Sequence, residues 1–225
     1  ITSVSRQAIF AAEAPMFFPQ SIGTTSKEPK HWERFWGEQG LRGPAVAYVR
    51  QGSQEADSEL LEKVKEFASS PACRALGIVV GKVDEMLHGV VTGLGGLHAQ
   101  VRQWSQQGAF RALIDSLLEQ GFTVYVTADH GNVAAKGIGR PNVGTVPEEK
   151  GERAWVFRDD VLRAQVQQAL PTALLWPGPG LPADYSVLLP RGVDAFLAQG
   201  KETLGHGGIA LEEVLVPFVR IQEPA

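Results

Sequence analysis

An α/β fold is what this sequence predicts, on three observations. Segments with helical apolar spacing alternate with short, nearly uncharged, β-branched runs, the pattern of helices packed on a sheet. Two of those runs lead directly to a carboxylate, Asp84 after the first and Asp129 after the second. Open parallel sheets bind ligands beyond the carboxyl ends of their strands, so two acids placed there point to a site. Size is the third observation: 225 residues, 44% hydrophobic and 20% charged, can bury the core of one ordinary domain or of two small ones. The expectation is a single domain over 1–225. Because the chain opens on Ile1 and runs at once into Thr2-Ser3-Val4-Ser5-Arg6, that domain is expected to be a fragment of a longer protein.

Residues 7–12 are Ala-rich and predict a helix, after which Pro15, Pro19 and Pro29 bracket a loop-rich surface stretch. Within 31–37, Trp32, Phe35 and Trp36 fall at helical spacing, predicting a short amphipathic helix whose aromatics serve the core rather than a ligand. A Gly-rich turn and a strand over 45–50 follow. From Asp57 to Ala68, Leu60, Leu61, Val64 and Phe67 share one face opposite Glu and Lys, with Asp57 or Ser58 as the N-cap. The run 76–83 predicts a strand buried on both faces. Residues 98–120 carry the longest helical pattern, with Trp104, Phe110, Leu113, Leu117 and Leu118 as packing residues and Gly121 as its stop. A strand over 122–127, another over 153–158, a helix over 161–170, a Pro/Gly-rich loop over 176–182 and an apolar closing segment over 214–221 complete the chain.

Several function classes are excluded at this level. No apolar run approaches the ~18 residues of a membrane span, and no basic segment leads into an apolar one as in a signal peptide. A lone cysteine, Cys73, can neither staple the fold nor furnish a Cys-based zinc site. A reducing compartment is the simplest setting, and any metal must use His and carboxylates. Twenty-one basic against twenty-five acidic side chains, formally −4, leave no excess positive potential for wrapping a polyanion.

Three of the five histidines sit in contexts suited to metal chemistry. Asp84 and His88 are four apart, so on a helical turn they share a face and can grip one ion; an N-capping Asp beside an unrelated His is the alternative. Asp129-His130-Gly131 lets a curved backbone turn two successive side chains toward one ion, or is simply a turn. His206, between Gly205 and Gly207-Gly208, is presented by a loop that can approach a ligand closely, unless it is a bystander. Together they supply three imidazoles and two carboxylates, enough for two sites with positions left open to substrate.

Four segments make the chain resemble the PglZ domain, a branch of the alkaline phosphatase superfamily that includes nucleotide pyrophosphatases, phosphodiesterases and cofactor-independent phosphoglycerate mutases. They are Thr2-Ser3-Val4-Ser5-Arg6-Gln7-Ala8, similar to the nucleophile segment; 84–89; 127–132; and 206–217, which is similar to the PglZ closing signature. The resemblance implies an alkaline-phosphatase-like three-layer sandwich, its sheet mostly parallel with helices on both faces, here lacking the N-terminal strand. It implies two zinc ions, with manganese as the alternative: one held by Asp84, His88 and His206, the other by Asp129, His130 and the Thr2 hydroxyl. Thr2 is then the catalytic nucleophile of a phosphodiesterase that passes through a covalent phosphothreonine, with Ser3 and Ser5 as competitors. Arg6, Lys136 and Arg153 are candidates for binding phosphate or a polyanionic leaving group, against the reading of solvated surface charge.

The same resemblance implies a cytoplasmic bacterial protein of the BREX phage-defence kind, or a response-regulator output domain. Its partners are then the other subunits of a multi-protein system and a phosphate ester, nucleotide or nucleic acid, with no membrane. The departure from the pattern is an Asp that in this superfamily precedes the nucleophile and completes the site of Asp129 and His130, so that site is expected to bind metal more weakly. A catalytically inert interaction module and a phosphomutase with the same ligands are the alternatives. Specificity is expected to reside in loops 134–152 and 176–205.

Overall fold

A computed structural model describes residues 1–89, 93–140 and 149–223 and shows a mixed α/β chain. In order, the elements are α1 (Thr2–Ala11), α2 (Glu28–Glu38), β1 (Val46–Arg50), α3 (Asp57–Ala68), β2 (Ala75–Val79), α4 (Lys82–Gly89), α5 (Gly93–Gln106), α6 (Ala109–Glu119), β3 (Val124–Thr127), β4 (Val133–Gly137), β5 (Glu149–Lys150), β6 (Trp155–Phe157), α7 (Asp160–Ala169), β7 (Leu174–Trp176), β8 (Ser186–Leu189), β9 (Asp194–Ala195), β10 (Glu202–Gly205), α8 (Leu211–Val214) and β11 (Phe218–Ile221). Two compact units emerge. The first takes Ile1–Ile9, Glu13–Thr25 and Ala128–Val216; the second takes Phe10–Ala12, Ser26–Thr127 and Pro217–Ala225.

In the second unit, β1 and β2 pair in parallel from Val46↔Ala75 to Arg50↔Val79, with α3 as the crossover between them. Leu60, Val64 and Ala68 pack from α3 against Val49, Leu113, Leu117 and Val124. This seam steps by four residues, so Ala68 takes the buried place and Phe67, expected on the core face, is 40% exposed. The cap of α3 also differs from expectation. Ala56 occupies the N-cap position, and the Asp57 carboxylate instead accepts from Trp104 Nε1 at 2.6 Å and Gln51 Nε2 at 2.8 Å. The aromatics of α2 do join a core, where Trp32 meets Phe10 edge-on with ring centres 5.6 Å apart and its Nε1 donates to the Ala47 carbonyl at 2.9 Å.

Two elements are shorter than their sequence patterns. The strand expected over 76–83 ends at Val79 and is only partly buried, because Gly81, whose N–H donates to Gln51 Oε1 at 3.1 Å, turns the chain into α4. The pattern over 98–120 is two helices, α5 and α6, divided at Gly108, whose φ of +84° breaks the helix. The closing apolar segment also divides, into α8 and β11; β11 pairs antiparallel with β3 and leaves Phe218 72% exposed.

The first unit carries a four-stranded antiparallel sheet, β5-β6-β8-β7, and a three-stranded one, β10-β4-β9. Trp155, Phe157, Leu188 and Phe196 pack there with Val166 and Leu170 of α7, a helix capped by Asp159 accepting from Val161 and Leu162 N–H groups. The mostly parallel three-layer sandwich is not what the described residues show. Only β1–β2 and β4–β9 are parallel, and five pairings are antiparallel. After 128 the strands are two to five residues long, and α7 is the one full-length helix between them among the described residues, so few helical crossovers exist to join parallel neighbours. No helix of the described residues is long and apolar enough to cross a membrane.

Replacing Asp57 by Ala would strand the Trp104 indole N–H and the Gln51 amide. The expected cost is about 1–3 kcal/mol of stability, read as a lower urea midpoint with changed Trp emission.

Candidate functional site

The sequence 7–12 predicts a helix, yet α1 begins at Thr2, because the Ile1 carbonyl accepts from the N–H groups of Val4 at 3.0 Å and Ser5 at 3.1 Å. Thr2, Val4 and Ser5 are poor helix formers, which hides this first turn from a propensity reading. Thr2 therefore stands where helix N–H groups lack intrahelical acceptors. Its hydroxyl lies 3.1 Å from His130 Nε2, and that nitrogen lies 3.5 Å from Asp129 Oδ2. Ser5 Oγ returns to the Ile1 carbonyl at 3.1 Å, while Ser3 Oγ is buried and takes no hydrogen bond among the described residues.

The imidazole of His130 is constrained on both sides. Its Nδ1 is 3.1 Å from the Gly131 carbonyl, which can only accept a hydrogen bond. With the proton on Nδ1, the Nε2 lone pair faces Asp129 Oδ2, itself buried and without a hydrogen bond among the described residues. With the proton on Nε2, a lone pair faces the Gly131 carbonyl instead. With Nδ1–H donating to the Gly131 carbonyl and Nε2 accepting from the Thr2 hydroxyl the ring is satisfied, and Asp129 Oδ2 is the atom left over, which a cation beside Nε2 and Oδ2 would satisfy. His206 stacks on His130 with ring centres 3.8 Å apart and planes 3° from parallel. Asn132 Oδ1 is a further buried acceptor without a partner among the described residues. These donor atoms suit a zinc-type cation, which takes imidazole nitrogen and carboxylate oxygen.

A buried ion pair holds the segments that present these residues. Arg153 is 1% exposed and grips Glu213 through Nε to Oε1 at 2.9 Å and Nη2 to Oε2 at 2.6 Å. Arg153 also donates to the carbonyls of Gly192 and Asp194. Glu213 accepts from the N–H groups of Gly208 at 2.9 Å and Ala210 at 3.0 Å, fixing the loop just after His206. Its own carbonyl accepts from Gly131 N–H at 2.8 Å, fixing the turn just after His130. Only glycine fits at 131, since a Cβ there would lie 1.9 Å from the Glu212 carbonyl oxygen. Burial alone would raise the Glu213 pKa, but the Arg153 hydrogen bonds, the two N–H groups and the Arg153 charge outweigh it and hold the carboxyl below its ordinary range.

Arg153, expected to face phosphate, is thus committed to protein acceptors, and its role is corrected to a structural one. Lys136 is exposed in mid-β4, opposite Glu202 and Asp194. Arg6 lies on α1 one turn beyond Thr2, on the same helical face. Asp84 and His88 share a face of α4 as their spacing predicts, with Oδ2 and Nε2 3.7 Å apart and both side chains exposed; they belong to the second unit. Of the loops expected to set specificity, residues 141–148 lie outside the described residues. The Glu213 anchor was overlooked within the 206–217 segment. Its available signal was an acid at the third position of a short helix following two glycines.

A cleft of about 420 Å³ opens beside Thr2 within the first unit. Thr2 and Ser3 form one wall, Gly23, Thr24 and Thr25 another, and Gly151, Ala154, His206 and Gly207 close it. Gln7, fully buried, ties the first two walls together. Its Nε2 donates to the carbonyls of Ser3 at 3.0 Å and Ser21 at 2.8 Å, and its Oε1 accepts from Ser21 Oγ at 2.7 Å.

Over residues 1–221 the chain matches the family model described as the BREX system PglZ alkaline phosphatase-like domain, and it belongs to that family. No curated protein gives a significant match.

Glu213→Ala leaves a buried guanidinium and two N–H groups without acceptors, so a loss of about 3–5 kcal/mol is expected from denaturant unfolding. The sign with pH follows from the depressed pKa: the carboxylate stabilises the fold above its ordinary value of 4.5, and that contribution fades as pH falls through the lower folded value. Glu213→Gln should flatten this acid limb of the stability profile.

Proposed function

We propose that this domain is a metal-dependent phosphoesterase acting on a phosphodiester, with Thr2 as nucleophile. The observation that carries the reading is the convergence of Thr2 Oγ1, His130 Nε2 and Asp129 Oδ2 at the start of α1, with the carboxylate oxygen buried and lacking a hydrogen bond among the described residues. Alkaline phosphatase-like domains usually bind metal ions, and Asp129, His130 and the Thr2 hydroxyl would hold one zinc. When bound, it supplies Lewis-acid charge that lowers the Thr2 hydroxyl pKa and offsets negative charge on the phosphoryl oxygens. The second zinc, assigned to Asp84, His88 and His206, remains in the proposal on the family pattern alone.

The chain's own residues account for the remaining steps. The first-turn N–H groups and dipole of α1 favour negative charge at Thr2, both on the attacking oxygen and on a phosphate beside it. Arg6, one turn along the same face, offers a planar fork to phosphate oxygens. The Gly131 carbonyl orients the His130 ring through Nδ1. Thr2 Oγ releases its proton to solvent and forms its bond to phosphorus as the bond from phosphorus to the leaving oxygen breaks, and that oxygen takes a proton from solvent. Water then attacks the phosphothreonine, releasing the phosphorylated product and returning a proton to Oγ. BREX PglZ membership implies a multi-protein system, and we take its setting to be bacterial phage defence in the cytoplasm.

Elemental analysis of the purified chain, paired with hydrolysis of bis(4-nitrophenyl) phosphate by wild type and Thr2→Ala, tests the reading. The expected outcome is zinc-dependent turnover that falls on the order of 10³-fold or more in Thr2→Ala while zinc content and folding persist. Equal rates would remove Thr2 from the chemistry. Bound zinc without turnover would favour the inert interaction module, and transfer to a sugar hydroxyl rather than to water would favour a mutase.

A further inference from the structure

The carboxyl end of β1 carries a buried polar relay that the proposed function leaves unused. Gln51, the first residue after β1, is 6% exposed, and both its amide hydrogens and its oxygen have partners. Oε1 accepts from Gly81 N–H at 3.1 Å, and Nε2 donates to Asp57 Oδ1 at 2.8 Å and to the Glu55 carbonyl at 3.2 Å. Asp57 Oδ2 in turn accepts from Trp104 Nε1 of α5 at 2.6 Å. One directed chain of hydrogen bonds thus runs from the start of α4, through the end of β1 and the start of α3, to α5. Losing any partner would strand a buried polar group, so the chain fixes the orientation of each member.

Gly81 is the residue from which α4 hangs. Its carbonyl accepts from Glu85 N–H at 3.1 Å and opens the helix, while its own N–H is held by Gln51. The loop after β1 reaches α4 a second time, where Gln54 N–H donates to Glu85 Oε1 at 3.3 Å. Gln54 does so at φ +63°, a left-handed backbone that a residue with a Cβ keeps only where its surroundings impose it. Packing places α4 less firmly, because Leu87 is the one buried side chain of the helix. Asp84 sits between the two anchored residues, Gly81 and Glu85, and His88 follows one turn on, with Oδ2 and Nε2 3.7 Å apart. An imidazole nitrogen and a carboxylate oxygen are donors that zinc takes. Two donors on one exposed helix bind weakly by themselves. The third donor in the proposed set, His206, comes from a distant segment of the sequence, so affinity depends on where α4 is held.

We infer that Gln51 is a positioning residue for cation binding at Asp84 and His88, acting through Gly81 and held in turn by Asp57 and Trp104. The role rests on the assignment of zinc to Asp84 and His88 in the phosphoesterase reading.

Zinc titration calorimetry of the full chain in an Asp129→Asn, His130→Ala background reads this site by itself, with circular dichroism confirming that each variant is folded. His88→Ala identifies the site by abolishing the remaining binding. Gln51→Glu sets a carboxylate against Asp57 and should weaken zinc about tenfold or more, the usual effect of losing a partner outside the ligand set. Adding Asp57→Asn gives that carboxylate an amide donor and leaves an oxygen for Trp104, so affinity should return to within about threefold of the background. Gln51→Met removes the bonds without adding charge and should weaken zinc as Gln51→Glu does, which keeps the test open if the charged variant fails to fold. Val64→Ala, a loss of core packing in α3, should lower the urea midpoint and leave zinc affinity unchanged. Undiminished affinity in the folded Gln51 variants, no rescue by Asp57→Asn, or an equal loss in Val64→Ala would overturn the role. If His88→Ala leaves zinc binding unchanged, the zinc assignment fails and the role with it; if His88→Ala abolishes binding and the Gln51 variants do not weaken it, the role alone fails.

Discussion

The buried pair of Arg153 and Glu213 is the constraint on which the candidate site depends. One carboxylate binds a guanidinium through both oxygens and two backbone N–H groups besides, while the same residue's carbonyl holds Gly131. The loop bearing His206 and the turn bearing His130 are thereby fixed to one anchor, and the stacked imidazoles 3.8 Å apart are the result. A buried ion pair is weak evidence for stability, since desolvating both charges costs about what their attraction returns. Its value here is geometric: a site for a cation needs donors held within a fraction of an ångström, and loops cannot supply that unaided.

The candidate site's segments also carry buried polar atoms left without hydrogen bonds. Asp129 Oδ2, Asn132 Oδ1 and Ser3 Oγ are all buried without hydrogen-bond partners among the described residues. Folded proteins seldom tolerate such atoms except where a ligand completes them. A cation that satisfied Asp129 Oδ2 would therefore stabilise the fold, because a group that binds only the native state shifts its equilibrium. Phosphoryl transfer asks little covalent work of a protein. Positioning and charge stabilisation suffice, and the proposed nucleophile, at a helix start beside an imidazole and a carboxylate, would have both.

Legibility in the sequence followed the range of the interactions. The extent of the helix Asp57–Ala68 was readable because its period is local, though its cap and the last residue of its seam were not, and the shared face of Asp84 and His88 was readable because four-residue spacing on a helix is local too. Strand direction was not readable. Whether two short strands pair in parallel depends on partners such as β10 and β4, separated by more than sixty residues. Gly108 concealed a helix break inside one apolar period, and poor helix formers concealed the start of α1. In the candidate site, Asp129, His130 and His206 stand out by their short sequence contexts, whereas Thr2 is singled out among Thr2, Ser3 and Ser5 only through the family resemblance. Arg153 was misassigned because an arginine's availability depends on its partners, and Glu213 lies sixty positions away.

The central claim is that Asp129 and His130 hold a cation beside Thr2. Zinc titration calorimetry of the wild-type chain against the Asp129→Asn, His130→Ala double variant tests it most directly, with circular dichroism confirming that both are folded. The account predicts that the variant binds one zinc fewer per chain. Unchanged stoichiometry and affinity in the folded variant would contradict it.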